Sequence, residues 1–548
     1  MTAPFLALRP AATGMRGMVA SGHPLATQAG LRVLQDGGNA VDAAVAVAAA
    51  LNVCEPQMSG VGGIGWMLLF LAGKGEGKVL NFSGRAPASV RRDVYDSYQR
   101  RWEGAYTPVV PGNVAGWFEA LKRHGTMPAE RVFADAIRYA DEGIPATKHF
   151  CFMVRFVAEK KLAKWPETAA VYMPKGRIPE PGEILVNKDL AGTLWALACE
   201  GPDTFYRGPI AKAIGAFVRS RGGFLAEADL DAYAPAWETP IETTYRGVTL
   251  RTIPPNASAF QLLQIFNLLE GFDLQALGHN SPAYIHLLAE AGKLAVADRI
   301  RFGADPDFAK VPLAGLLSKA YAAERRQRID PARAAAVEGD RFNPQPPPDA
   351  LPPGDPLRFD SGLTTHFSVA DHDGNVVAVT QTNGSIFGSG MMVPETGVLL
   401  NNAAYWFESD PAYAGPNAIE PRKRFEMPLA PVHVLRDGRP VLSIGTPGSY
   451  GILHTTTQMI LNWLEFGADV QEAIEAPRFK PVAGRTLAIE DRIPPPVRAE
   501  LEAKGHQLQL MGDWCFELGG GHGVAIDPRT GALTGGADPR RDGAAAGY

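Results

Sequence analysis

Cysteine is scarce in this chain: four in 548 residues (Cys54, Cys151, Cys199 and Cys515), none at metal-ligand spacing. They show no disulfide scaffold or zinc-finger-type module and read as buried thiols in a reducing compartment, with periplasmic disulfides as the alternative. Charge of one sign is lacking too. A formal net charge of -5 gives no basic patch for nucleic acid or an anionic membrane. No hydrophobic run reaches bilayer-spanning length; Trp66–Ala72 is far too short. The first residues lack a basic region followed by an apolar stretch, so no secretory leader is expected. The expected compartment is the cytoplasm, or the periplasm if a leader had been removed. His23, His366, His372 and His454 are scattered, and Gly60-Val-Gly-Gly63 lacks the Lys-Ser/Thr ending of a phosphate loop. Neither a metal nor a nucleotide cofactor is expected.

What is present is length enough for more than one ordinary core, with 46% hydrophobic and 20% charged residues. Pro24–Asn52 predicts two helices broken at Asp36-Gly-Gly-Asn39, the second apolar nearly all round and therefore buried. Trp66–Leu71 reads as a buried strand. From Asp135 to Gln327 the pattern is mostly helical, as at Leu190–Cys199, Pro209–Ser220 and Ala283–Phe302. A single strand is expected over Tyr245–Ile253. Residues 330–360, rich in Pro, Asp and Arg, read as a mobile linker. Strands then dominate at Thr365–Ala370, Val376–Thr382, Val398–Asn401, Val432–Leu435 and Val441–Gly445. Helices follow at Leu453–Phe466, Val470–Ala476 and Pro495–Lys504. Strands from both ends of the chain, with helices between them, predict an α+β sandwich.

The step Ser361-Gly-Leu-Thr-Thr-His366 joins the linker to a strand. A cut between Leu363 and Thr364 would give Thr364 a free α-amine beside its own hydroxyl. A threonine hydroxyl needs an adjacent base to act as nucleophile, and an α-amine with pKa about 8 supplies one. Taken alone, Thr-Thr at a strand start is ordinary β-propensity.

Its surroundings decide between these readings. Thr364-Thr-His-Phe-Ser-Val369, Asp373-Gly-Asn375, Phe387-Gly-Ser-Gly390 and Gly397-Val-Leu-Leu-Asn-Asn402 resemble the small subunit of the gamma-glutamyltranspeptidase family of N-terminal-nucleophile hydrolases. Gly37–Ala44, Pro56–Gly63, Val110-Pro-Gly112, Ala297-Asp-Arg299, Pro447-Gly448 and Asp538-Pro-Arg540 extend the resemblance over nearly the whole chain. It implies a four-layered αββα sandwich built from both products of self-cleavage, a large subunit 1–363 and a small subunit 364–548. It implies Thr364 as nucleophile, Thr382 as its hydrogen-bond partner, and Gly448 and Ser449 as oxyanion N–H donors. Ser449 stands where the family has Gly.

Substrate recognition departs from the family. Its carboxylate-binding Arg becomes Ser83 in Phe82-Ser-Gly-Arg-Ala-Pro87, with Arg85 two residues on and able to share a face. Arg85 is thus either an anion-binding residue or a surface ion pair. The family Gln and Asp that hold the α-amine become Ala403 and Trp406, and its Ser-Ser pair becomes Met427-Pro428. The family Asn falls at Gly384, leaving Asn383 as the neighbouring polar candidate. Trp406 reads as an apolar face toward an acyl group or as a packed core residue; Tyr450 is a further substrate-contact candidate. The short stretch from Asn402 to Arg424 predicts an incomplete lid. The expected activity is a self-processing amide hydrolase or acyltransferase acting on a small-molecule, non-glutamyl amide. A true gamma-glutamyl enzyme and an unprocessed binding homologue stand as alternatives. Partners are the two subunits themselves, and assembly of several copies is left open.

Overall fold

A computed structural model describes residues 5, 7–336, 364–408 and 415–548. The Leu363–Thr364 junction and most of the 330–360 linker lie outside the described residues.

Two seven-stranded antiparallel sheets form the centre. The first runs in the order Ala544–Gly547, Gly17–Ser21, Thr365–Asp371, Val376–Thr382, Ile64–Leu71, Glu76–Phe82, Ala236–Glu238. The second runs Ala12–Gly14, Leu533–Ala537, His522–Ile526, Arg439–Gly445, Val432–Arg436, Val248–Thr252, Ile241–Tyr245. Each sheet mixes strands from before and after Thr364, so neither half of the chain could complete a sheet alone.

Helices cover the outer faces. Pro24–Gln35 and Ala40–Cys54 pack on the first sheet. Every residue of Ala40–Cys54 is buried, because Ala and Val on all sides let it pack against the sheet and neighbouring helices together. An Asn39–Asp42 capping box starts this helix. Phe260–Leu269, Pro282–Phe302 and Gly451–Phe466 cover the second sheet. The order helix, sheet, sheet, helix is the expected αββα sandwich. Among the described residues no helix is long and apolar enough to cross a membrane.

Two expectations are corrected. Tyr245–Ile253 is not one strand but the second half of a hairpin, Ile241–Tyr245 paired with Val248–Thr252. Arg246 (φ 44°) and Gly247 (φ 84°) make the two-residue turn, the left-handed pair that matches strand twist. Residues 330–336, read as the start of a loose linker, are docked. His286 Nε2 donates to the Asp330 carbonyl (2.8 Å), Lys504 Nζ to the Pro331 carbonyl (2.7 Å) and the Ala335 N–H to Glu290 (3.1 Å).

Candidate active site

Thr364 immediately precedes the strand Thr365–Asp371 at the centre of the first sheet and is 1% exposed. Side chains alternate along a strand, so Thr364, His366 and Ser368 share one face. That face meets the second sheet. Ser368 Oγ lies 3.0 Å from Ser443 Oγ. The His366 ring occupies the space beside Gly445, where an added Cβ would come within 2.6 Å of it. Thr364 immediately precedes the first of these strands and Pro447-Gly448 follow the second, so both lie toward the same end of this packing.

The adjacent strand adds Thr382. Thr365 pairs with Gln381, so Thr382 stands one step further, across from Thr364 and on its face. Its Oγ1 accepts from the Gly384 N–H at 2.8 Å. His366 is no base for this site. Burial first, then neighbouring His522 and His433, drive its pKa well below the usual range, and its Nδ1 bonds Thr380 Oγ1 at 2.9 Å. Its imidazole is neutral and tied into the core.

The turn after the strand Arg439–Gly445 has unusual backbone. Gly448 has φ 138° and Ser449 φ 55°. The second value explains why a glycine is the common choice at that position: a residue with a Cβ is strained there. Among the described residues, neither the Gly448 nor the Ser449 N–H donates to a backbone acceptor. Their carbonyls instead accept from Gly451 and Ile452 as the helix Gly451–Phe466 begins. Two adjacent uncommitted N–H groups at a helix N-terminus form an anion cradle.

This turn is held by Gly519–Gly521. The Gly520 N–H donates to Thr446 Oγ1 (2.8 Å), and a Cβ on Gly448 would lie 3.3 Å from Gly519 Cα. Behind it, Asp538 pairs with Arg478 (2.8 Å) and Arg540 (3.1 Å), and Arg540 pairs with Glu490 (2.6 Å). All four side chains are buried. Sequence reading quoted Asp538-Pro-Arg540 only as a family signature; its role as the back support of the turn needed the fold.

The remaining candidates separate. Arg85 donates to the Arg422 carbonyl (3.0 Å) and pairs with Asp307 (2.9 Å), the surface ion-pair arrangement. Asn383 is fully buried, and its Nδ2 donates to the Pro56 carbonyl at 3.1 Å. Trp406 is 1% exposed, and its indole N–H donates to the Gly384 carbonyl at 3.2 Å. It is a packed residue rather than an open apolar face. Tyr450 meets the Trp406 ring edge-on at 5.6 Å, donates to Glu426 (2.7 Å) and lies under the Arg299 guanidinium at 3.7 Å. Arg299 also donates to Gln261 Oε1 (2.9 Å). Glu426 and Arg299 were not among the sequence candidates; no local motif marks a Glu beside Met427.

Among the described residues one cluster has ligand atoms close enough for a metal: His286, Glu290 and His506, all within 4.8 Å. Its groups are already committed. His286 Nε2 holds Asp330, His286 Nδ1 and His506 Nε2 bond each other at 2.9 Å, and Glu290 takes the Lys293 ammonium at 2.8 Å. The Lys293 charge makes this a structural knot under residues 330–335.

A two-sheet αββα sandwich with a threonine at the start of a central strand is the architecture of the N-terminal-nucleophile hydrolase class. The sequence model for gamma-glutamyltranspeptidase matches residues 26–548. The chain therefore belongs to the gamma-glutamyltranspeptidase family and is an enzyme of its hydrolase and transferase kind. It is 37% identical to the acylase ACY 1 proenzyme of Pseudomonas sp. (strain SE83), over 99% of this chain and 95% of that one. It is 36% identical to the glutathione hydrolase proenzyme of Escherichia coli (strain K12), over 97% of this chain and 92% of that one. A crystal structure of cephalosporin acylase from Bacillus halodurans superposes with a TM-score of 0.89 at 33% identity, covering 100% of this chain and 98% of that chain.

Proposed function

We propose that the chain cuts itself between Leu363 and Thr364 and then hydrolyses or transfers the acyl group of a small-molecule amide lacking the glutamyl α-ammonium and α-carboxylate. What supports this reading is that Thr364 and the Gly448-Ser449 turn, whose N–H groups donate to no backbone acceptor among the described residues, lie toward the same end of the Ser368–Ser443 and His366–Gly445 packing. In maturation the Thr364 hydroxyl attacks the Leu363 carbonyl carbon, the acyl group shifts from nitrogen to oxygen, and water hydrolyses the ester. The freed α-amine then accepts the hydroxyl proton as Oγ attacks the substrate carbonyl. That proton passes to the leaving amine, and water or an acceptor amine releases the acyl group. Gly448 and Ser449 N–H groups stabilise the oxyanion in each step.

The substrate class follows from what replaced the family's polar contacts. Trp406 spends its N–H on Gly384, and Tyr450, Glu426 and Arg299 bond one another. Glu426 Oε1 keeps no hydrogen-bond partner, but with the remaining groups engaged the site offers a charged α-centre fewer partners than one built to bond it, and sites of that kind discriminate by several orders of magnitude. The acylase likeness supports the same choice.

The test compares gamma-glutamyl, glutaryl and phenylacetyl p-nitroanilides. We expect kcat/KM for the gamma-glutamyl compound to be at least tenfold below the better of the other two. Preference for the gamma-glutamyl anilide would overturn the substrate assignment. Thr364→Ala should leave a single full-length species by intact mass and no turnover; a fragment beginning at residue 364 in that variant would overturn the nucleophile.

A further inference from the structure

The helix Ala40–Cys54 ends at Glu55, whose carboxyl is buried beneath the first sheet, 3% exposed. Neither Glu55 Oε2 nor Thr365 Oγ1 has a hydrogen-bond partner within ordinary bonding geometry. Both atoms converge on Gly22, where an added Cβ would sit 2.6 Å from Oε2 and 3.0 Å from Oγ1. Thr365 follows the nucleophile directly and points to the opposite face of the strand. On the other side stands Arg541, 4% exposed. Its Nη1 donates to the Thr364 carbonyl (3.3 Å) and contacts Met58 Sδ (3.6 Å); its Nη2 donates to the Phe516 carbonyl (3.1 Å). Glu55 and Arg541 are electrostatic partners, each favouring the charged form of the other. A buried acid without a hydrogen-bonded cation is costly and is not needed to fill this space, since glutamine or leucine has similar volume.

We propose that Glu55 and Arg541 act together as positioning residues for the nucleophile: Arg541 grips the Thr364 carbonyl, and the Glu55 carboxyl, converging with the Thr365 hydroxyl on Gly22, supports the same peptide unit from the opposite face. This rests on Thr364 being the nucleophile. Thr364 would have no preceding residue after cleavage, which leaves its carbonyl as its own main-chain anchor. Loss of that anchor lets the α-amine and hydroxyl drift from the oxyanion turn, and misplacement by about 1 Å costs on the order of a hundredfold in rate.

Glu55 would also give the enzyme an acid limb. Burial raises its pKa to about 7, against the lowering pull of the Thr365 hydroxyl and Arg541; Asp542 raises it further. Cys54 adjoins it, with its thiol pushed up mainly by burial and then by Glu55. Thr147 Oγ1 occupies Asp542 Oδ2 at 2.6 Å. As pH falls through about 7, Glu55 becomes neutral and Arg541 loses its counter-charge.

The experiment reads acylation of the small subunit by p-nitrophenyl acetate, a probe making little demand on the acyl pocket, followed by intact mass from pH 5.5 to 9.5. The processed wild type should show two rises, one near pH 7 and one at the α-amine near about 8. Glu55→Gln should be acylated at least tenfold more slowly, with the lower rise gone and the upper one kept. Glu55→Asp should recover part of the rate and restore the lower rise at a shifted pH. A wild-type profile with a single rise near 8, or a Glu55→Gln profile matching wild type within twofold, would overturn the proposal even if one variant failed to fold. Failure of the underlying reading looks different: acylation that persists in Thr364→Ala, or wild type not acylated at any pH.

Discussion

Asp538→Asn is the most demanding test of how the oxyanion turn is supported. Asp538 is fully buried and is shared by Arg478 and Arg540. Its Oδ2 accepts from the Gly521 N–H (2.9 Å) and its Oδ1 from the Arg540 N–H (2.9 Å). Burial alone would raise its pKa, but Arg478, Arg540 and those two N–H groups outweigh burial and hold it well below the usual carboxylate range. The amide keeps the shape, removes the charge and turns one acceptor into a donor facing N–H groups. Two buried guanidiniums then share Glu490 as their nearest carboxylate. Breaking a buried ion pair in this way costs about 3–5 kcal/mol. Spread over a chain of this length, that lowers the unfolding midpoint by only about 3–4 °C. The informative readout is therefore double: calorimetry at pH 7 and acylation by p-nitrophenyl acetate. Because Gly521 and Gly520 carry the support to Thr446 and Gly448, acylation should fall at least tenfold in protein that is still folded at 25 °C. The stabilising effect of a depressed carboxylate is fully present above its unfolded pKa and is lost as pH falls below it, so the midpoint gap between the two proteins should narrow below about pH 4. A midpoint within 1 °C of wild type together with an unchanged acylation rate would refute the idea that this network holds the turn.

Two further outcomes follow from the same atoms. Glu55 is raised from an unfolded value of 4.5 to about 7, so the folded protein binds the extra proton and stability falls as pH rises between these values. The penalty approaches about 3 kcal/mol above pH 7 and is absent from Glu55→Gln. Thermal midpoints at pH 4.5 and pH 8 should therefore drop less in the variant than in wild type, and an equal drop would show that Glu55 is ionised throughout. Gly448→Ala should fold yet lose about 100-fold in acylation, since φ 138° is hostile to a Cβ and Gly519 leaves only 3.3 Å for it; a loss under threefold would remove Gly448 from the oxyanion role.

The strands that carry the site were legible because their signal is local. Val376–Thr382 is β-branched and apolar along its length, and its observed bounds coincide with the expected ones. The hairpin at Arg246-Gly247 was missed although its turn signal was present, because Tyr245 and Val248 read as one apolar run. The strand Ala544–Gly547 carries almost no β-propensity and forms because Gly17–Ser21 offers an edge to pair with. The buried charges were illegible for a different reason. Glu55 and Arg541 stand at opposite ends of the chain, and Asp538, Glu490 and Arg478 come from three separate elements. Sequence pattern ranks each alone as a surface residue; only the closed sheets bring them to one place. Trp406 shows the converse: its type suggested an apolar face for substrate, while its N–H, which must find a partner when buried, was drawn to the Gly384 carbonyl.

These two kinds of feature explain how the family's chemistry and its recognition can part. In the proposed mechanism the reacting groups are one side chain, one chain end and two backbone N–H groups, near the Ser368–Ser443 and His366–Gly445 contacts between the sheets. Substitutions on surrounding loops do not remove backbone donors, so Ser449 can replace a glycine while its N–H stays in place. The positions where the family's recognition groups are replaced, Ser83, Gly384, Ala403, Trp406 and Met427, lie outside the strands of the two sheets. Each can be exchanged without disturbing the sheets, provided most new polar atoms find partners, as the Trp406 N–H and the Tyr450 hydroxyl have done. It is this change of recognition groups around a kept nucleophile that underlies the proposal of a different acyl group.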